Sequence, residues 1–317
     1  MGTAFAFGEA MLRLSPPAGG RLQEAASLDL SPAGAELNTA VALASLGMPA
    51  IWLSALPESA LGRRVAAAAR AAGVDTSAVS WIEGARMGLF FVEFGVPPRP
   101  VSVLYDRRAS AFQQVEPEPV GMKAGDWLIV SGVTLALGAR IIAATERLVA
   151  AAAAVGARLC VDVNYRSRLW SAQDAATVLA PMLKRAELVV STERDAASVL
   201  GLEGRPEEMV RSLAREWALA ARIVVLTRGA GGSVGLERGG EPVIQRAYPT
   251  RVVDRLGAGD AFLAGLIWGL ERGRLTDAMA AGSALAALKC TVRGDFAQFT
   301  PSEVSAVVAR PEELLFR

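Results

Sequence analysis

The stretch that decides the fold is Asp254-Arg255-Leu256-Gly257-Ala258-Gly259-Asp260-Ala261-Phe262, followed by Leu263, Ala264, Leu266, Ile267 and Leu270 at helical spacing. It reads as a loop entering a buried helix. Three small residues at the entry let backbone N–H groups point outward together, where the positive end of the helix dipole favours an anion. Asp260 follows at once on an otherwise apolar face, placed to act on whatever meets the cradled anion. This pairing suits phosphoryl transfer. The alternative for the same residues is a tight turn at Gly257 and Gly259 with Asp260 as a helix cap.

Working outward, composition narrows the chemistry. The chain has 317 residues, 52% of them hydrophobic, enough for a substantial core, and 33 basic against 32 acidic residues leave a net charge of +1. That balance gives no general attraction to nucleic acid or to an anionic membrane, so any anion binding is local. Histidine is absent, which excludes a Ser-His-Asp triad and an imidazole base and leaves acid–base work to carboxylates. Cys160 and Cys290 lie far apart in apolar surroundings and are expected to be reduced core residues. Met1 to Gly8 lacks a basic leader and no apolar run reaches a membrane span, so a cytoplasmic location is the expectation.

From Trp127 onward, short apolar runs alternate with longer helical patterns: strands at 127–130, 158–163, 188–190 and 223–226, helices at 137–154, 177–186 and 206–220. Such alternation predicts an α/β fold whose central sheet is mostly parallel and covered on both faces, with functional groups at the carboxyl ends of its strands. Upstream, strands are expected at 4–7 and 50–53 and helices at 37–46 and 61–72. Alternating segments at 11–14, 88–94 and 101–105 form a small sheet apart from the main body. Helices at 278–288 and 302–308 close the chain.

The string Asp-x-x-Gly-Ala-Gly-Asp-Ala-Phe resembles the C-terminal motif of the ribokinase-like (PfkB) carbohydrate kinases, and similar segments cover nearly the whole chain. The resemblance implies one ribokinase-like domain over 1–317, a three-layer α/β sandwich with a small β-sheet lid formed by about 11–32 and 86–110. It implies that Asp260 is the catalytic base, that Gly257, Ala258 and Gly259 form the anion hole, and that ATP, Mg2+ and a monovalent cation such as K+ near this motif take part. Arg255 departs from the small residue or Thr of many relatives. Ala33-Gly34-Ala35-Glu36-Leu37-Asn38 resembles the family's sugar-contact motif, with Gly34 and Asn38 in contact with substrate; Asn38 otherwise serves a turn.

Two further segments resemble the 2-keto-3-deoxygluconate kinases within this family: Asn164-Tyr165-Arg166 after a strand, and Tyr105-Asp106-Arg107 at the end of the lid. There, Tyr105, Arg107 and Arg166 are implied to grip a substrate carboxylate. Guanidinium binds carboxylate bidentately, and a neutral sugar gives a pocket no reason to carry fixed cations; the bland alternative is solvated turn arginines. Thr227, Gly229, Gly231 and Gly232, with Asn164, correspond to the nucleotide loop, whose Gly-rich hairpin entry is common elsewhere. Glu193 and Asp195 fall where relatives organise water around magnesium, or cap a helix. Asp295 in Gly294-Asp295-Phe296 bounds the site or sits in a turn. The expected function is ATP-dependent phosphorylation of the terminal hydroxyl of an acidic keto-deoxy sugar, 2-keto-3-deoxygluconate first. The alternatives are a relative acting on another sugar or nucleoside, or a non-catalytic binding protein. Partners are the sugar and ATP, with no nucleic acid or membrane, and the chain forms a homodimer or higher homo-oligomer through the lid, whose strand edges invite pairing.

Overall fold

A computed structural model describes residues 1–95, 98–118 and 121–309. Parts of the expected lid linker (96–97) and of the expected single domain (119–120 and 310–317) lie outside the described residues. In chain order the strands are β1 (Ala4–Phe7), β2 (Met11–Ser15), β3 (Asp29–Ala33), β4 (Ala50–Pro57), β5 (Val79–Ile82), β6 (Leu89–Glu93), β7 (Ser102–Asp106), β8 (Trp127–Ser131), β9 (Arg158–Asp162), β10 (Leu188–Thr192), β11 (Ile223–Thr227), β12 (Ser233–Glu237) and β13 (Val243–Gln245).

Nine of them form one sheet in the order β13-β12-β11-β10-β9-β8-β1-β4-β5. Every neighbour pair from β11 to β5 is parallel, and only the β11–β12–β13 end is antiparallel. All four residues of β1 and all five of β8 are buried, because helices cover both faces and leave no solvent side to read as polar. One face packs on helices Ala35–Ser45, Ala60–Ala71, Ala258–Leu270 and Leu275–Cys290; the other packs on Ala139–Val155, Ala172–Leu183 and Glu193–Leu200. This is the three-layer α/β sandwich. From β1 the chain winds outward to β4 and β5, then returns to β8 on the opposite side. The resulting switch point lies between β1 and β8, and a crevice opens there at the carboxyl ends of the strands.

β2, β3, β6 and β7 make a separate sheet in the order β3-β2-β6-β7. Its β2–β6 pair is parallel and its outer pairs are antiparallel. β3 occupies a segment that sequence patterning reads only as a helix entry; Pro32 masks it, yet proline is tolerated because β3 is an edge strand. β5, also at an edge, is short and carries the half-exposed Trp81. The helix expected to begin at 177 starts at Ala172 instead, since the Ser171 hydroxyl accepts the Asp174 N–H at 3.1 Å and caps it. The helix from Pro206 ends at Ser212 and continues as a wider turn, in which the Ala218 N–H reaches the Leu213 carbonyl five residues back. Cys160 is buried, whereas Cys290 is only half-buried; both are unpaired. No helix among the described residues is long and apolar enough to cross a membrane.

Candidate active site

Gly257 precedes the helix Ala258–Leu270 with φ of 81°, and a Cβ there would lie 2.2 Å from the Asp295 carbonyl oxygen. Both facts require glycine. The Ala258 N–H closes a turn on the Arg255 carbonyl at 3.2 Å, so this member of the expected anion hole is already engaged. The remaining first-turn donors lack intrahelical partners and carry the positive end of the dipole.

Asp260 stands in that first turn. Its Oδ2 accepts a hydrogen bond from Asn38 Nδ2 at 2.7 Å, and Asn38 Oδ1 in turn accepts the Gly34 N–H at 3.3 Å. The second bond fixes which end of the amide faces Asp260. Loss of hydration pushes the Asp260 carboxyl up to about 6, against the opposing pull of Asn38 and the Arg166 charge. Asp260 is therefore mostly ionised at neutral pH and basic enough to take a proton. Gly34 itself packs against the chain: a Cβ there would meet the Glu9 carbonyl at 2.2 Å.

Gly34, Asn38, Tyr105, Arg107, Arg166, Asp260 and Asp295 all line one cavity of about 110 Å³, together with Glu9, Glu36, Phe90 and Gly257. Tyr105 reaches it from β7, stacked on Phe90 at 5.9 Å between ring centroids. Arg107 reaches it too, but Nε donates to Glu9 Oε2 at 2.9 Å and Nη2 bonds the same oxygen, while the Ser110 hydroxyl bonds Glu9 Oε1. Its charge is thus largely matched from within. Arg166, by contrast, is exposed to the cleft. Asp295 accepts from Arg13 Nη1 at 2.6 Å, and Arg13 Nη2 pairs with Asp254 at 2.8 Å, a buried ion cluster that ties β2 to the loop before Gly257. Burial raises the Asp295 carboxyl in spite of Arg13.

Glu36 is 2% exposed. Its Oε1 accepts from the Ser131 hydroxyl at 2.6 Å, and its Oε2 has no partner among the described residues. Burial pushes this carboxyl up to about 7, and Asp260 adds to the shift.

Arg166 also lines a second, wider cleft of about 890 Å³ with Tyr165, Glu193, Arg194, Asp195, Arg228, Gly229 and Arg255. The two spaces therefore meet at this guanidinium. Of the expected nucleotide loop, Gly229 faces the cleft, while Thr227 bonds the Ser191 carbonyl at 3.5 Å. The Gly231 N–H is held by the Arg228 carbonyl at 3.0 Å. Gly232 abuts β13, where a Cβ would meet the Gln245 carbonyl at 2.0 Å. Asn164 is buried with φ of 35°, its N–H on Asp162 Oδ1 at 3.2 Å. A non-glycine residue in that region marks a backbone held by its surroundings.

Glu193, one of two expected magnesium residues, accepts from Arg228 Nε at 2.9 Å. Asp195 receives the Tyr165 N–H at 3.3 Å while its own N–H is capped by Thr192 Oγ1 at 2.9 Å. Among the described residues no group of three or more acidic, Cys or His side chains forms a metal site. Asp162, however, is pushed up to about 8 by burial and by the Asp260 and Asp195 charges, and Asp195 is raised as well. Carboxyls whose ionised form is disfavoured by burial suit a divalent cation that arrives with phosphate ligands and keeps its waters. Asp195, which lines the wider cleft, and Asp162, whose carboxyl feels the Asp195 charge, are the residues that could hold such an ion, with Glu193 committed to Arg228.

Glu9, Arg13, Glu36 and Asp162 belong to the site without a role being marked for them by any motif in the sequence. For Glu36 and Asp162 a signal existed: a charged residue inside an apolar run. Arg13 carries the same signal within Ala10-Met11-Leu12-Arg13-Leu14, and Glu9, next to Gly8 at a strand end, carries none.

The sequence matches the pfkB family carbohydrate kinases over residues 1–301. It is 40% identical over 306 residues to a 2-dehydro-3-deoxygalactonokinase of Haloferax volcanii, covering 95% of each chain. Identity to a 5-dehydro-2-deoxygluconokinase of Shouchella clausii is 29% over 294 residues, 90% of this chain and 89% of that one. The fold superposes with a TM-score of 0.90 on the crystal structure of a 2-dehydro-3-deoxygluconokinase from Thermotoga maritima, 29% identical, over 97% of this chain and 98% of the other. Family match, fold and the loop at Gly257 agree: the chain belongs to the pfkB family of carbohydrate kinases.

Proposed function

We propose that this kinase transfers the γ-phosphoryl group of ATP to the terminal hydroxyl of a 2-keto-3-deoxy sugar acid, in its gluconate or galactonate form, giving the 6-phosphate. The observation that carries this reading is that Asp260, at a helix N-terminus, shares one cavity with Tyr105, Arg107 and the cleft-exposed Arg166. The names of the three relatives given above, each a kinase of a dehydro-deoxy sugar acid, support the same class.

Asp260 takes the hydroxyl proton as that oxygen attacks the γ-phosphorus, and the bond to the β-phosphate oxygen breaks to release ADP. Asn38 keeps the carboxylate aimed. First-turn N–H groups meet the charge that develops on the transferring phosphoryl. Arg166, standing where sugar cavity and nucleotide cleft meet, binds the sugar carboxylate; Arg107, fixed by Glu9, offers its remaining Nη1 donor, and Tyr105 closes the cavity from the lid. Asp162 and Asp195 would hold Mg2+, which neutralises phosphate charge. Arg255 and Gly229 line the nucleotide side. Self-association through the outer lid strand belongs to the same proposal: β7 is an edge, and its Leu104 is 61% exposed.

The test is ADP release with Mg2+ and ATP against 2-keto-3-deoxygluconate, 2-keto-3-deoxygalactonate, 5-keto-2-deoxygluconate, fructose and ribose. The expected result is the highest kcat/KM for one of the two 2-keto-3-deoxy acids. A neutral sugar in first place overturns the role of the arginines; 5-keto-2-deoxygluconate in first place moves the keto position; no turnover with any of them removes the kinase reading.

A further inference from the structure

Behind the anion loop lies a cation that the proposed reaction leaves unused. Lys289, in the last turn of the helix Leu275–Cys290, has no exposed surface. Its Nζ donates to the backbone carbonyl of Asp254 at 2.9 Å and to that of Val292 at 3.4 Å. Asp254 organises the loop: its side chain accepts the N–H groups of Leu256 at 3.0 Å and Gly294 at 3.1 Å as well as the Arg13 guanidinium. Lys289 and Arg13 thus stand against Asp254 and Asp295, two charges of each sign, around the turn that sets Gly257.

The resemblance of the Asp254–Phe262 string implies a monovalent cation beside this loop. Backbone carbonyl oxygens are the ligands such an ion takes, and here an ammonium of the chain itself already holds two of them. The residue type agrees. Lysine occurs only at 123, 184 and 289, and arginine supplies every other basic residue of the 33. A planar guanidinium suits a carboxylate fork, whereas a compact ammonium suits a nest of single carbonyls. Burial pulls the Lys289 ammonium down from its ordinary range, and the Asp254 and Asp295 charges hold it up.

We propose that Lys289 is a built-in replacement for the exchangeable monovalent cation, a positioning residue that fixes the Asp254–Gly257 turn so that the kinase runs without K+. This rests on the kinase reading for its turnover arm but not for its thermal arm. In the wild-type protein, exchanging K+ for tetramethylammonium leaves both turnover and melting temperature unchanged. In Lys289→Ala, turnover in tetramethylammonium falls about 10²-fold, the cost of a misplaced catalytic loop. Ammonium or K+ restores at least about tenfold of it and raises the melting temperature with no sugar present. A purely structural lysine would show the loss without the ion-specific rescue. Stimulation of the wild type by K+ of about tenfold or more overturns the proposal, as does a Lys289→Ala protein that neither ammonium nor K+ improves in turnover or melting. Should the alanine variant not fold, Lys289→Ser, which also leaves the ammonium's place open, takes its place, and the wild-type ion independence still decides.

Discussion

Replacing Asn38 with alanine removes the 2.7 Å hydrogen bond to Asp260 and leaves the base itself in place. A hydrogen bond to a charged group contributes about 1.5 to 3 kcal/mol, and each pKa unit corresponds to about 1.4 kcal/mol. Losing the bond therefore raises Asp260 by about one to two units from its value of about 6. Water entering the vacated space takes over part of the donor's role and sets the lower end. At pH 7 the ionised fraction of Asp260 drops from about nine-tenths to between about a tenth and a half. The assay is kcat/KM from direct ADP quantitation across pH, because a base active only when deprotonated shows itself as an acid limb. The limb should move upward by that one to two units, with turnover recovering at alkaline pH. A lost sugar contact alone would lower activity equally at every pH. An acid limb that stays at its wild-type position while KM rises refutes the reasoning and demotes Asn38 to a sugar contact.

Asp260→Asn keeps shape and removes the base, so kcat should fall about 10²- to 10⁴-fold while calorimetric sugar affinity changes little; near-normal turnover would remove Asp260 from its role. Arg166→Ala should weaken binding of the acidic sugar by about 1.5 to 3 kcal/mol and that of a neutral sugar far less, and equal losses would count against a carboxylate contact. Glu36 supplies a stability test. Its folded value of about 7 lies above the ordinary glutamate value of about 4.3, so the folded chain binds this proton more tightly than the unfolded one. The stabilisation is complete below about pH 4 and lost as pH rises through 7, a swing of roughly 3 to 4 kcal/mol. Glu36→Gln cannot ionise and should melt higher than wild type at pH 8 but not at pH 4; the same shift at both values would show that ionisation is not the cause.

The core strands were legible because both faces of the sheet are covered: Ala4–Phe7 and Trp127–Ser131 read as unbroken apolar runs. β3 was not, since Pro32 argues against a strand until the strand is known to lie at an edge. The cavity residues were legible through motif shape, a glycine loop with a carboxylate at one end of the chain and an Asn-bearing helix at the other. What stayed hidden was the pairing of charges. Nothing local marks Glu9 as the partner of Arg107 or Arg13 as the partner of Asp254 and Asp295, because these residues meet only after the lid strands fold over the crevice. Lys289 was hidden for a similar reason: a lysine in a last helical turn ordinarily meets solvent and the negative end of the dipole, and only packing shows it turned inward.

The placement of Arg13 bears on how such a kinase can be re-engineered. It belongs to β2, in the sheet that shapes the sugar side, yet both of its carboxylate partners belong to the catalytic end. Removing one member of a buried ion pair costs about 3 to 5 kcal/mol. A substrate-recognition sheet transplanted from a relative with a different residue at 13 would leave Asp254 and Asp295 as uncompensated anions beneath Gly257. Specificity and turnover are consequently not separable modules in this chain, and a successful graft carries Arg13, Asp254 and Asp295 across together.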